Sequence, residues 1–134
     1  MGKKFLKKII AQSSKDLQMI SACCSEAKLK LRDIKYLSSS KIFLLSLSRL
    51  NREEDIDKHI NSIVKFEFIE SSKSKNIDQN NLDLTLELLA INVFKREQIF
   101  EITLLFSKNR IITLTAEIIE ATLEDQKILN DKNS

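Results

Sequence analysis

The sequence predicts an α+β fold: a mainly antiparallel sheet of six to seven strands, curled or barrel-like, with one N-terminal helix closing one side. Apolar residues recur at helical spacing between residues 13 and 27. From residue 27 onward they recur at every second position, which is typical of strands. Short polar segments separate these alternating runs, as in hairpins. The length of 134 residues suits a single domain over residues 1–134.

Two N-terminal elements precede the predicted strands. Residues 5–12 are apolar at both ends and predict either a first strand or an amphipathic turn that leads into a helix. Ser13 is a candidate N-cap, and Asp16 follows three residues later, as in a capping box. Apolar residues then recur at i, i+3, i+7 and i+10, namely Leu17, Ile20, Cys24 and Ala27. The pattern predicts a helix of about three turns over residues 13–27.

Residues 27–50 predict two strands. Apolar alternation from Ala27 slips its phase at Arg32–Asp33 and resumes at Ile34, as a β-bulge would produce. The polar run 38–41 is the predicted turn. The following strand, 42–50, carries apolar side chains on both faces, as expected of a strand that is covered on each side.

The remaining strands follow charged or polar segments. Residues 51–59, of which six are charged, predict a solvated loop. Alternating runs then predict strands at 60–71, 82–94, 98–107 and 111–120, with polar connections at 71–81, 95–98 and 107–110. These runs complete the predicted six or seven strands.

The stretch TAEIIEATLEDQ, residues 115–126, holds four carboxylates, one before and three after an isoleucine pair. A strand here places four residues on the inward face: Ile112, Leu114, Ala116 and Ile118. A helix would instead place three carboxylates on one face at i, i+3 and i+7: Glu117, Glu120 and Glu124. Close acids on one exposed helix are ordinarily solvated, because hard-metal sites take oxygen ligands from several elements. We therefore predict a strand that leads into a charged, frayed tail over residues 121–134.

Charge is unevenly distributed along the chain. Residues 1–67 carry 14 basic and 8 acidic groups, whereas residues 68–134 carry 8 and 11. We name four N-terminal lysines the lysine tetrad, the candidate contacts to nucleic acid or another anion: Lys3, Lys4, Lys7 and Lys8. They would share a face with the lysines of 27–37 if that strand paired beside 5–12. We expect a solubilising face with weak, non-specific attraction at low salt, and no nucleic-acid partner.

Most catalytic and cofactor classes lack their residues in this chain. The single glycine, Gly2, excludes glycine-rich phosphate loops. Cys23 and Cys24 are adjacent and do not suit a relaxed disulfide, and with one histidine they cannot complete a structural zinc site. That histidine, His59, lies in the charged loop. We predict reduced, buried thiols, a surface histidine, no catalytic set and no cofactor.

The hydrophobic segments are short. No apolar run approaches the roughly 18 residues of a membrane span. The early run FLKKII is interrupted by two lysines, which does not match a signal peptide. The sequence therefore predicts a cytoplasmic protein without a membrane span.

Three blocks of the chain resemble an uncharacterised alphaproteobacterial family, domain of unknown function 2948. The blocks are DLQMISACCSEAKLKLRDIKYL (16–37), ELLAINVF (87–94) and IITLTAEIIEATLED (111–125). The matching residues are Asp16, Leu17, Ile20, Ser21 and Ala22 in the first block, Leu88 to Ile91 in the second, and Ile119 or Ile118, Glu120, Ala121, Leu123, Glu124 and Asp125 in the third. The resemblance covers nearly the whole chain in order. It implies a small cytoplasmic bacterial protein and assigns no activity.

The favoured hypothesis is a non-catalytic binding or protein-interaction module. Catalytic residue sets are missing, and several strands carry apolar residues on both faces, which fits a protein partner or self-association. The first alternative is a metal-dependent enzyme that uses the acidic triad Glu120, Glu124 and Asp125, three residues that also match the family block. The second alternative is a weak nucleic-acid-binding protein that uses the lysine tetrad.

Overall fold

The computed structural model describes residues 6–51 and 58–128. This part of the chain holds one α-helix, α1 (Ser14–Cys23), one 3-10 turn, η1 (Leu31–Asp33), and ten strands. The strands are β1 (Lys8–Ala11), β2 (Ala27–Lys30), β3 (Ile34–Leu37), β4 (Ile42–Asn51), β5 (Lys58–Phe66), β6 (Ile69–Lys75), β7 (Thr85–Arg96), β8 (Ile99–Phe106), β9 (Arg110–Ala116) and β10 (Ala121–Ile128). One helix with an antiparallel sheet confirms the predicted α+β class.

The strands form one sheet whose two ends do not meet. Neighbours pair in the order β1-β10-β5-β4-β2-β7-β8-β9-β6, and β3 also pairs with β4. Every pairing is antiparallel. Within the described ranges, β1 and β6 each have a single partner strand, so the sheet is not closed into a barrel.

The predicted count of six to seven strands is too low, and three local features account for the difference. The phase slip at Arg32–Asp33 is the 3-10 turn η1 and not a β-bulge, and it separates β2 from β3. Glu67 and Phe68 form a corner between β5 and β6, so β6 includes part of the predicted polar loop. Residues 121–128, which we predicted to begin a frayed tail, form β10 between β1 and β5. Residues 129–134 lie outside the described part.

Two corners of the chain run side by side and carry the sheet from β5 and β10 into β6 and β9. Three contacts join them: Phe66 pairs with Ala121, the N–H of Glu67 donates to the C=O of Glu120 at 2.8 Å, and Ile69 pairs with Ala116. We call this feature the double corner (residues 66–69 and 116–121). The double corner also changes which residues point into the core, because Ile118 is 49% exposed and Ile119 is buried in its place. The predicted inward position of Ile118 is therefore wrong.

Helix α1 begins where the sequence predicts and ends earlier. Ser13 Oγ accepts a hydrogen bond from the N–H of Asp16 at 3.1 Å, as an N-cap does. The Asp16 carboxylate accepts from the N–H of Gln12 at 3.4 Å. The helix stops at Cys23 because Ala27 is already the first residue of β2 and pairs with β7.

The core lies between α1 and the inner face of the sheet. Leu17 and Ile20 of α1 are fully buried in it. The helix contacts β7 and β1, and Ser21 Oγ accepts a hydrogen bond from the N–H of Ile91 at 2.9 Å, close to a register shift in β7. Hydrogen bonding as well as packing therefore holds α1 on the sheet.

Candidate functional site

The acidic triad lies at the double corner and on β10, and its side chains do not converge. Glu124 and Asp125 are consecutive strand residues, so their side chains point to opposite faces; Glu124 is exposed and Asp125 is buried. Glu120 precedes β10, and its Oε1 accepts a hydrogen bond from Gln12 Nε2 at 3.0 Å. Across residues 6–51 and 58–128, no group of three or more His, Cys, Asp or Glu side chains is placed to hold a metal ion. The metal-site hypothesis stays a prediction.

Asp125 is one half of a buried ion pair with Arg49 of β4. Arg49 Nε donates to Asp125 Oδ1 at 2.9 Å, and Arg49 Nη2 donates to Oδ2 at 2.7 Å. Ser62 Oγ of β5 donates to Oδ1 at 2.6 Å, and the backbone N–H of Lys7 donates to Oδ2 at 2.8 Å. The side chains of Asp125, Ser62 and Arg49 thus form a row across the neighbouring strands β10, β5 and β4. The bond from the Lys7 N–H attaches the segment before β1 to this row.

This row has a structural role. Burial disfavours the ionised form of Asp125, but the hydrogen bonds from Arg49, Ser62 and Lys7 outweigh it, so the pKa of Asp125 lies below its ordinary value. A carboxylate has about four lone-pair positions, and all of them are used here. Asp125 therefore has no position left for a substrate or a cation.

Lys8 of the lysine tetrad does not lie beside the lysines of β2. Three strands, β10, β5 and β4, separate β1 from β2, so the pairing on which that arrangement depended does not occur. Lys8 lies opposite Glu124 in the β1–β10 register, which offsets its charge locally. Lys3 and Lys4 lie outside the described residues.

The cysteines and the histidine show no arrangement for chemistry. Cys24 is fully buried and Cys23 is half-buried, and both are free thiols. Burial raises the pKa of the Cys24 thiol to about 12, and the neighbouring Cys23 adds to the rise. Such a thiol is a poor nucleophile, because the thiolate is the reactive form. His59 is exposed, as predicted, and its Nδ1 lies 3.4 Å from Ser48 Oγ.

A cavity of about 430 Å³ lies between β3 and β6, where the open sheet does not close. We call it the seam cleft. At one end Tyr36 Oη donates to the C=O of Ile69 at 2.9 Å, and the N–H of Ile69 donates to the C=O of Lys41 at 2.9 Å. At the other end the N–H of Arg32 donates to the C=O of Leu82 at 3.1 Å. The cleft is therefore bounded at both ends.

The floor of the seam cleft is apolar. Leu31, Phe43 and Ile112 line it, and each is at most 6% exposed. Tyr36 forms part of the wall, with its ring centroid 6.3 Å from that of Phe43 and its hydroxyl fixed by Ile69. A ligand in the cleft would therefore contact rigid hydrocarbon and aromatic surface.

The rim of the seam cleft is polar and cationic. Gln79 Nε2 donates to Ser74 Oγ at 2.8 Å. Ser72, two residues earlier on β6, also lines the cleft. Arg32 forms an ion pair with Asp83, and the hydrogen bond from Arg32 lowers the pKa of that carboxyl. Lys35 also lines the cleft and has no ion pair within the described part of the chain.

A second depression differs from the seam cleft in having no buried floor. It lies beside the double corner and is lined by residues 96–99 and 117–118, all of them exposed. Ligand sites usually enclose most of the ligand surface, so a depression among exposed residues is a weaker candidate. The seam cleft is the better candidate of the two.

Comparison of the sequence with protein families matches residues 7–131 to the family described as protein of unknown function, DUF2948. The chain belongs to this family. The match confirms the resemblance in the three sequence blocks, while the alphaproteobacterial source stays an expectation. No curated protein and no solved structure shows a significant match to the chain. No helix among the described residues of this DUF2948 chain is both long enough and apolar enough to cross a membrane.

The fold brings the sequence blocks of this DUF2948 chain together, and it also uses residues between them. Ser21 of the first block bonds to Ile91 of the second. Asp125 of the third pairs with Arg49, which lies outside the blocks. Sequence reasoning missed Arg49, although it continues the inward alternation of Phe43, Leu45 and Leu47 on β4. It missed the seam cleft as well, because Tyr36 has the spacing of an ordinary strand residue.

Proposed function

We propose that the protein is a single-domain, non-catalytic binding module whose ligand occupies the seam cleft. The observation that carries this proposal is one cavity with a buried apolar floor and a polar, cationic rim. Ligand sites commonly combine a mainly apolar lining with a few polar groups that orient the ligand. The fixed Tyr36 hydroxyl also supports a preformed site, because it leaves the wall of the cleft in one conformation.

The residues of the cleft favour binding over catalysis. No His, Asp, Glu or Cys side chain is among its described lining residues. The hydroxyls of Ser72 and Ser74 therefore have no imidazole or carboxylate in the cleft to act as a general base. The rim groups instead suit recognition, since they offer hydrogen-bond donors and positive charge.

The exposed apolar residues favour a small ligand over a protein partner at this site. Several large exposed apolar side chains occur on separate elements, for example Ile10 on β1, Met19 on α1 and Phe94 on β7, whereas Ile99 and Ile118 lie together in the second depression. Exposed apolar residues that are scattered singly need no partner. A protein partner or self-association stays a prediction, and light scattering at micromolar concentration tests it.

A cytoplasmic location is part of the proposal. Cys23 and Cys24 are free thiols, which is usual in a reducing compartment. Export of the protein to an oxidising compartment, seen by cell fractionation, would contradict this part.

Tyr36 makes the binding proposal directly testable. It is the single tyrosine of the chain, and there is no tryptophan, so tyrosine emission reports on the seam cleft. We would titrate the protein with small aliphatic acids, alcohols, amines and sugars and follow this emission. We expect at least one compound class to change it saturably with a Kd of about 1 mM or tighter, which corresponds to roughly 4 kcal/mol.

Two pairs of variants locate the binding. Ser72→Phe fills the cleft from β6, and Lys73→Phe places the same side chain on the opposite face of that strand as the control. Leu82→Asn removes exposed apolar wall, and Leu89→Asn on β7 is its control. We expect the first member of each pair to weaken binding and the control to retain it. Binding that survives both cleft variants, or no response to any compound, would contradict the proposal.

A further inference from the structure

We infer that the ligand of the seam cleft is a small amphipathic carboxylate, with one negative charge on a short apolar body. This inference rests on the proposed binding function and names the class of molecule that is bound. It follows from the charge of the rim, the hydrogen-bonding capacity of the rim and the size of the cavity.

The rim provides one uncompensated positive charge. Arg32 is matched by Asp83, and that pair contributes little net charge. Lys35 has no ion pair among the described residues, and it is one of the residues that line the same cavity. A carboxylate would neutralise this single charge. A phosphate monoester, with about −1.5 to −2 charges at neutral pH, would exceed it, and an amine would be repelled.

The hydroxyl side of the rim also favours an anionic oxygen. Ser74 Oγ accepts a hydrogen bond from Gln79 Nε2 at 2.8 Å, so its own proton is free to be donated. The Ser72 side chain makes no hydrogen bond within residues 6–51 and 58–128, and Ser72 is one of the residues that line the same cavity. Ser72 and Ser74 on β6 and Lys35 on β3 therefore border the cavity from its two sides. Donors of this kind stabilise a carboxylate more than they stabilise a neutral alcohol.

The size of the cleft limits the apolar body. A volume of about 430 Å³ corresponds to about 14 water molecules at ~30 Å³ each. The bonds of Ile69 to Lys41 and of Arg32 to Leu82 join the two sides of the cleft, which favours a ligand that fits within this volume. We therefore expect a ligand of about ten to fourteen non-hydrogen atoms, placed against Phe43 and Ile112 of the floor.

The test compares probes that share one hydrocarbon chain and differ in the head group. Octanoate, octyl phosphate, 1-octanol and octylamine are each titrated into the full-length protein at pH 7, and Tyr36 emission is recorded. We expect octanoate to bind about tenfold more tightly than octanol, because charge-assisted hydrogen bonds contribute more than neutral ones. Octyl phosphate should bind no more tightly than octanoate, and octylamine should bind most weakly.

Variants connect the preference to the rim. Lys35→Gln should weaken octanoate binding about fivefold to tenfold and leave octanol binding unchanged, because Lys35 is exposed and its charge is partly screened. Lys28→Gln, on the exposed side of β2, is the matched control and should leave both unchanged.

The outcomes separate this inference from the binding proposal. If octanol binds as tightly as octanoate, or if Lys35→Gln changes neither probe, the carboxylate assignment is wrong while the cleft remains the binding site. Tighter binding of octyl phosphate overturns the assignment in favour of a phosphate. If no probe alters Tyr36 emission, the binding proposal itself fails.

Discussion

Replacement of Asp125 by asparagine tests how strongly the buried ion pair stabilises the sheet. The asparagine side chain has nearly the size of the aspartate side chain but lacks the charge that faces Arg49. Its amide NH₂ would face groups that are themselves hydrogen-bond donors. Two of the four hydrogen bonds to Asp125 come from the Arg49 guanidinium, at 2.9 and 2.7 Å. Hydrogen bonds to charged groups contribute about 1.5–3 kcal/mol each, and removal of one partner of a buried pair costs about 3–5 kcal/mol.

We therefore expect Asp125→Asn to lower the free energy of unfolding by about 3–5 kcal/mol. For a chain of this length each kcal/mol shifts the Tm by roughly 3–5 °C, so a decrease of about 9–25 °C should accompany it. Urea unfolding followed by circular dichroism measures the free energy, with the m-value as a check on two-state behaviour. Glu124→Gln is the control, because its exposed neighbouring position should cost less than about 0.5 kcal/mol.

Acid should remove the same stabilisation from the wild-type protein. The pKa of Asp125 is lower in the folded state than its unfolded value near ~3.9. The carboxylate therefore contributes its full stabilisation above that unfolded value, and the contribution is lost as pH falls through the lower, folded pKa. Asp125→Asn should lack this part of the acid dependence. A loss of less than about 1 kcal/mol, or an unchanged acid dependence in the variant, would refute the argument.

Four further predictions concern the other candidate groups. In Cys23→Ala protein, Cys24 should resist iodoacetamide at pH 8 until urea unfolds the chain, because a thiol with a pKa of about 12 is almost fully protonated; labelling of the native protein would contradict this. Ser13→Ala should lower the free energy of unfolding by about 1 kcal/mol through loss of the N-cap, whereas Ser14→Ala should have little effect. Calorimetric titration with magnesium, manganese or calcium should show no binding by the acidic triad at millimolar metal, and a saturable heat that disappears in Glu124→Gln would restore that hypothesis. Fluorescence anisotropy with labelled RNA at about 150 mM salt should show no micromolar binding, and tight binding that is lost when the lysine tetrad becomes glutamine would reverse our expectation.

The local periodicity of the sequence predicted those helices and strands that are determined mainly by their own residues. The N-cap at Ser13 and the strand predicted at 42–50 depend on neighbouring residues, and both occur as expected. β10 could not be recognised, because its polar outward residues resemble a solvated tail until β1 and β5 pair with its two edges. The corner at Phe68, with φ of 61°, contains no glycine or proline to mark it.

The seam cleft could not be predicted either, because it depends on contacts between segments that are distant in the sequence. Its lining comes from three separate segments, around residues 31–43, 72–82 and 112. Each residue has an ordinary role in its own segment, and the cavity exists only because β3 and β6 approach without pairing. The sequence did contain a signal for Arg49 in the buried row, since a charged residue at an inward strand position requires a buried partner.

The position of β10 between β1 and β5 determines when the sheet can be completed during synthesis. β1 begins at Lys8, and its single described partner strand begins 113 residues later, at Ala121. At a translation rate of roughly 5–20 residues per second, about 6–23 s pass between synthesis of the start of β1 and synthesis of the start of its partner strand. During that interval one edge of β5 is also unpaired. A nascent chain would therefore expose two strand edges until its last strand leaves the ribosome, which makes chaperone contact and aggregation most relevant before β10 is added.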